Sequence, residues 1–158
     1  MKLRTWKPYL LWILLAEAVG GLSGWLSREG IQLYNETVIQ PPLSPSMWVF
    51  PVVWGILYAL MGIGAARISM MPSSAERSRG LNLFVIQLAL NFCWSLIFFN
   101  LQAFSIAFFW LLCLLAIVLW MFFTFKQIDP LAANLQIPYL LWLSFAAYLN
   151  AGVWYLNK

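Results

Sequence analysis

At 158 residues, 63% of them hydrophobic and only 9% charged, with ten tryptophans, the chain lies far from a soluble domain, in which roughly a quarter of residues are charged. The composition excludes soluble classes and indicates an integral membrane protein. Its net charge of +4 is therefore read through the loops rather than as a sign of a nucleic-acid partner, and none is expected. Histidine is absent, the five acids are scattered, and Cys93 and Cys113 both sit in apolar runs. No metal site, structural disulfide or acid–base or nucleophile constellation is expected from that set.

Lys2, Arg4 and Lys7 precede an apolar run with no small-residue cleavage site before Glu17, so the run reads as a retained first span, about 8–26. Gly20 and Gly24 form a G-x-x-x-G pattern; either a second helix approaches there, or the glycines are simply scattered through a membrane helix. Glu17 lies mid-span, where an acid must face the protein interior or a wet cavity. It reads either as functional or as a paired or protonated structural carboxyl. The connection 27–43 has the length of a lid, with a short amphipathic helix expected through Ile31–Ile39.

The second span, about 45–68, opens in PPLSPSMWVFPVVWGILYALMG (41–62), which holds four prolines, two tryptophans and a tyrosine. Ser44 is expected to cap it with Pro45 at the first helical position, and Pro51, inside the helix, to bend its first turns. Trp54 and Tyr58, four apart, put two flat rings on one face, read as the wall of a ligand pocket. A polar loop is expected over 69–80. No charge occurs between Gly80 and Phe125; those 46 residues suit two crossings, about 81–99 and 103–125, turned at Asn100–Leu101–Gln102. Gln87, Asn91 and Trp94 share one face of the third span, and lipid offers their polar atoms no partner, so they must bond within the bundle or to a ligand. The fourth span reads as packing alone. Asp129 and Pro130 supply the cap and first turn of a fifth span, about 131–156, with a kink expected at Pro138. Beyond it Trp142, Ala146 and Asn150 recur every four residues, as pocket or as packing. Trp6, Trp25, Trp48, Trp110 and Trp154, near span ends, read as interface belts.

The fold class is thus all-α, a single domain over 1–158 built as a bundle of five transmembrane helices. Lys2, Arg4, Lys7, Arg67, Arg77, Arg79 and Lys126 fall on one side and only Arg28 and Lys158 on the other. That bias places the N-terminus in the cytoplasm and the C-terminus outside. With about 1.5 Å per residue, Trp54, Asn91 and Asn150 then lie in the outer half, on the side of the long connection. The convergence suggests one site.

The segments PPLSPSMWVFPVVWGILYALMGIGA (41–65), QLALNFCWSLIFF (87–99) and DPLAANLQIPYLLWLSFAAYLN (129–150) resemble the translocator protein or tryptophan-rich sensory protein family, formerly the peripheral-type benzodiazepine receptors. The likeness covers nearly the whole chain. It implies a five-helix homodimer binding porphyrins such as protoporphyrin IX, sterols, and isoquinoline or benzodiazepine-like drugs, with no intrinsic cofactor. It also implies ligand contacts at Trp54 and Trp142, with Asn91, Trp94, Ala146 and Asn150 lining the same cavity, and a photochemical role for Trp54 and Trp142 in light-dependent porphyrin breakdown. The family's animal sterol pattern departs here, because Asn150 is followed by Ala151; the nearest fit is Val153, Tyr155 and Lys158. With no histidine, metal-free porphyrin suits the chain better than haem. A bacterial plasma membrane is the expected location. The rival readings are a carrier of tetrapyrroles or lipids across the bilayer and a purely structural bundle.

Overall fold

In a computed structural model that describes residues 6–158, the chain is helical apart from its connections, with no strand among the described residues. Lys2 and Arg4 lie outside them. Helix α1 is Trp6–Leu26, α2 Arg28–Thr37, α3 Val49–Ser69, α4 Ala75–Ser95 continued by a π turn over Leu96–Asn100, α5 Phe104–Ile128, α6 Pro130–Asn134 and α7 Ile137–Leu156. Four of these are long and apolar enough to cross a membrane: α1, α3, α4 with its π turn, and α5. The chain is a multi-pass membrane protein. The expectation of five crossings is met on length and apolarity by those four alone, since Pro138, three tyrosines and Asn150 dilute the apolar character of α7.

Local chemistry sets several boundaries where they were not expected. Ser44 does not cap a helix; its hydroxyl donates to the carbonyl of Pro41 at 2.7 Å, and α3 starts only at Val49. Pro51 is therefore in the first turn, where its missing N–H would have had no helical acceptor, and there is no internal helix for it to bend. The polar loop is shorter than 69–80, because Ser74 in extended backbone accepts from the Arg77 N–H at 3.0 Å and opens α4 at Ala75. At Asp129 the expectation holds: its carboxylate accepts from the Leu131 N–H, with Pro130 at the start of α6. The final span is not one kinked helix. It breaks between α6 and α7, and Pro138 stands in the first turn of α7, where it is tolerated rather than disruptive.

Packing runs chiefly α1 on α3, α4 on α5, and α5 on α6 and α7, around the fully buried Met61, Phe84, Leu111, Met121, Phe125, Tyr139 and Leu143. Of the G-x-x-x-G pair, Gly20 admits α3 closely, through the Tyr58 ring, while Gly24 meets nothing; the close backbone approach is at Gly62, where a Cβ would lie 2.5 Å from the Ile13 Cα. Cross-links fix which ends lie together. Trp12 Nε1 donates to Ser69 Oγ at 3.1 Å and Arg67 pairs with Asp129 at 2.6 Å at one end. At the other, Asn100 Nδ2 donates to the Leu26 carbonyl at 3.0 Å, and Asn157 bonds both ways with the Ile39 backbone, at 3.0 and 2.8 Å. The connection 27–43, with its helix at Arg28–Thr37 instead of 31–39, is thereby held across the second end. Trp6, Trp25 and Trp48 are exposed, but Trp110 is no belt residue: its Nε1 donates to the Leu90 carbonyl at 2.8 Å and ties α5 to α4, and Trp154 packs on Phe108 and Phe109. Cys93 and Cys113 are free thiols.

Candidate functional site

Beneath the connection lies a cavity of about 520 Å³ walled by α1, α3, the end of α4 with its π turn, and α7, and roofed by Ile31, Tyr34 and Met47. Pockets of roughly 300–1,000 Å³ suit small organic ligands. The walls are aromatic. Trp54 stacks on Tyr58 at 5.5 Å between ring centroids, four residues along one helix face, and meets Trp142 of α7 edge-on at 6.3 Å. Opposite, Trp94 stacks on Phe98 at 4.9 Å, a register set by the π turn, which also turns Phe99 against Tyr34 at 5.2 Å. Burial pushes the Tyr34 hydroxyl up to about 12, so it stays neutral across ordinary pH.

Six of the residues singled out in the sequence reach this wall: Trp54, Tyr58, Trp94, Trp142, Ala146 and Asn150. Gln87 and Asn91 do not. They form a buried layer behind it, in which Tyr58 Oη donates to Asn91 Oδ1 at 2.9 Å, Asn91 Nδ2 to Tyr139 Oη at 2.8 Å, and Tyr139 Oη to Gln87 Oε1 at 2.8 Å. The polar stripe on α4 thus finds its partners in the bundle, and its effect on the cavity passes through the orientation of the Tyr58 ring. Asn150 is at the wall, yet its amide is engaged, accepting from Trp94 Nε1 at 3.1 Å and donating to the Phe104 carbonyl at 2.9 Å. The candidate sterol residues do not share a face: Val153 is fully buried, Tyr155 is 72% exposed, and the Lys158 ammonium lies 5.3 Å over the Tyr155 ring.

Other wall residues carried a weaker sequence signal or none. Glu17 reaches the cavity with Gly20, Gly21 and Gly24, the i, i+3, i+4 and i+7 positions of one α1 face, so the mid-span acid faces a void as its cost in lipid requires. Tyr34, Phe50, Ser95, Phe98 and Phe99 also line it. Phenylalanines in a lipid-compatible sequence look alike whether they face acyl chains or a cavity, and only the fold separates them. Among the described residues no three His, Cys, Asp or Glu side chains gather as a metal site would require.

The sequence profile of the TspO/MBR family matches residues 12–156. This chain belongs to the TspO/MBR family. Similar proteins include the tryptophan-rich protein TspO of Chlorobaculum tepidum, 34% identical over 90% of this chain and 91% of its own. The translocator protein of Ovis aries is 35% identical over 91% and 87%, and protein CrtK of Rhodobacter capsulatus 34% identical over 90% and 89%. Family membership and apolar helices agree that this is a multi-pass membrane protein.

Proposed function

We propose that this TspO/MBR protein is a membrane receptor for flat, largely apolar rings, with protoporphyrin IX as the expected ligand, held in the aromatic cavity. The observation that carries the reading is the wall itself: Trp54 and Trp142 meet at right angles over a void large enough for a drug-sized ring, with Trp94 and Phe98 as a second stacked pair. Offset and edge-to-face contacts with such rings contribute about 0.5–1.5 kcal/mol each beyond area burial. The names of relatives, tryptophan-rich sensory protein and translocator protein, fit a ligand-responsive role. In this reading α7 is the fifth crossing, the N-terminus is cytoplasmic and the lid end faces outward in a bacterial plasma membrane, and the functional unit is a homodimer.

Adding protoporphyrin IX to purified protein in the dark is expected to quench tryptophan fluorescence saturably, with at least about tenfold weaker binding in Trp54→Phe/Trp142→Phe, a loss of about 1.4 kcal/mol. Equal affinity in the double variant removes the assignment. Illumination of the complex tests whether Trp54 and Trp142 also take part in porphyrin breakdown. A new absorbing product lost in the double variant supports that role, and bleaching at the protein-free rate rejects it.

A second reading, passage of the ligand between bilayer and cavity, is favoured by one feature. A separate apolar groove runs between α3 and α7, lined by Val53, Ile56, Leu57, Pro138, Leu141 and Phe145, and Trp142 also lines it, so a single indole borders both hollows. Vesicle-to-vesicle porphyrin transfer that the protein does not accelerate would reject this reading and leave the receptor intact.

A further inference from the structure

Several polar groups at the cavity wall are already engaged. Tyr58, Trp94 and Asn150 bond to protein partners, and Ser23 Oγ donates to the Phe92 carbonyl at 3.2 Å. Glu17 is different. It is the one Asp, Glu, Lys or Arg in the lining, and the sole ion pair among the described residues joins Arg67 and Asp129 at the opposite end of the bundle. Of the glycines on its face of α1, Gly20 lies against the Tyr58 ring, whereas an added Cβ at Gly21 or Gly24 would meet nothing within 4 Å, so Glu17 stands between the ring wall and open volume. Lying nine residues before Leu26, where the lid connection begins, it sits about 14 Å in from the mouth. Arg28, the nearest cation on the mouth side, is held at that mouth, 4.3 Å over the Trp25 ring and bonded to its carbonyl at 2.7 Å.

We propose that Glu17 sets the charge preference of the cavity: it receives an N–H donor or cationic group at the inner end of a flat ring, and disfavours an anionic one. The inference rests on the ring-binding reading above and adds the ligand's electrostatic class and orientation. A carboxylate at membrane depth is costly until a donor or cation meets it, and opposite charges attract far more strongly there than in water. The negative faces of Trp54, Tyr58 and Trp142 act in the same direction. The chain's overall charge of +4 acts in the other, so a preference for cations cannot arise from the whole-molecule field. A porphyrin would then keep its propionates at the mouth under the lid, away from Glu17, and turn its uncharged vinyl edge inward.

The test uses the full chain in nanodiscs of zwitterionic lipid and three rings of one shape: protoporphyrin IX, its dimethyl ester, and its diamide with two aminoethyl arms. Tryptophan quenching in the dark gives each affinity, referred to the concentration of that ring measured in the nanodisc lipid, so that unequal partitioning of the rings drops out of the comparison. The diamide is expected to bind about tenfold or more tighter than the free acid, with the ester between them. In Glu17→Gln the three should converge to within about threefold, while Glu17→Asp, which keeps the charge, should preserve the order. A free acid that binds tightest, or an order unchanged in Glu17→Gln, overturns the inference while the cavity still binds rings. Absence of quenching by all three rings in every protein instead overturns the ring-binding reading, and this inference with it.

Discussion

Tyr139 shows how single side chains hold the site from behind. Its hydroxyl accepts from Asn91, donates to Gln87, and is fully buried, while Asn91 in turn receives the Tyr58 hydroxyl whose ring forms the wall. Tyr139→Phe strands a buried amide N–H and a buried carbonyl oxygen in a medium without water, where each unmet group costs about 1–3 kcal/mol. The expected outcome is a fall in thermal stability in detergent, measured by following helix content with temperature. Ring affinity should change by less than about twofold, because the wall residues remain. A variant as stable as the parent would show that the network is not tightly made. The stripe Gln87, Asn91, Trp94 was legible in the sequence because period and polarity are local properties. That two of its members do not reach the cavity was not, since their partner Tyr139 lies 48 and 52 residues on and its hydroxyl is silent in a pattern of apolar residues. Asn150 was readable as a wall residue for the same periodic reason, but not the fact that Trp94 and Phe104 already occupy its amide.

Among the elements, the lid is the one whose placement depends on distant chain. Asn157, beyond the end of α7, closes a two-way bond with the Ile39 backbone, Tyr148 Oη donates to the Pro42 carbonyl at 2.9 Å, and Pro41 rests on Gly152, where an added Cβ would lie 2.6 Å from the proline Cβ. These contacts strap the segment after α2 to the outer part of α7 without touching the ring-lined wall. Asn157→Ala with Tyr148→Phe removes four hydrogen bonds, three of them in the strap, of about 0.5–1.5 kcal/mol each, some of which water replaces at this exposed position. Porphyrin dissociation is expected to quicken about tenfold, read by stopped-flow recovery of tryptophan fluorescence, with faster amide exchange confined to 38–43. Unchanged dissociation would mean the ligand leaves by another path, such as the α3–α7 groove. The sequence revealed the lid's length and its helix, and at Asp129–Pro130 a cap, because each rests on neighbours in the chain. It misplaced the start of α3, because Ser44 turns back onto Pro41 rather than onto the residues ahead, and it gave no sign of the strap, whose partners stand 118 residues apart.

For the molecule as a whole, the decisive question is how often the chain crosses. Length and apolarity select four helices, an even number that would return both termini to one side. Geometry argues for an odd one. α1 begins near the Arg67–Asp129 end, where Trp12 meets Ser69, and α7 leaves that end beside Gln136, which lies against Gly64. α7 then passes Trp54 at Trp142 and finishes at Asn157 on the lid strap, having run the depth that α3 runs in reverse. Its 20 residues span about 30 Å, the thickness of a hydrocarbon core, and the tyrosines and Asn150 that lower its apolarity include the buried Tyr139 and Asn150, which face protein rather than lipid. Basic residues concentrate at the first end in Lys7, Arg67, Arg77, Arg79 and Lys126, and the proposed orientation, with that end in the cytoplasm, rests on this bias. With Cys93 and Cys113 replaced by serine, single cysteines at Ser73 and Lys158 are expected to label oppositely in intact cells. A membrane-impermeant maleimide should reach Lys158→Cys and reach Ser73→Cys only after lysis. Labelling of both from outside, or of neither, would establish an even number of crossings between them, and would place the lid, the strap and the cavity mouth on the same side of the membrane as the basic loops.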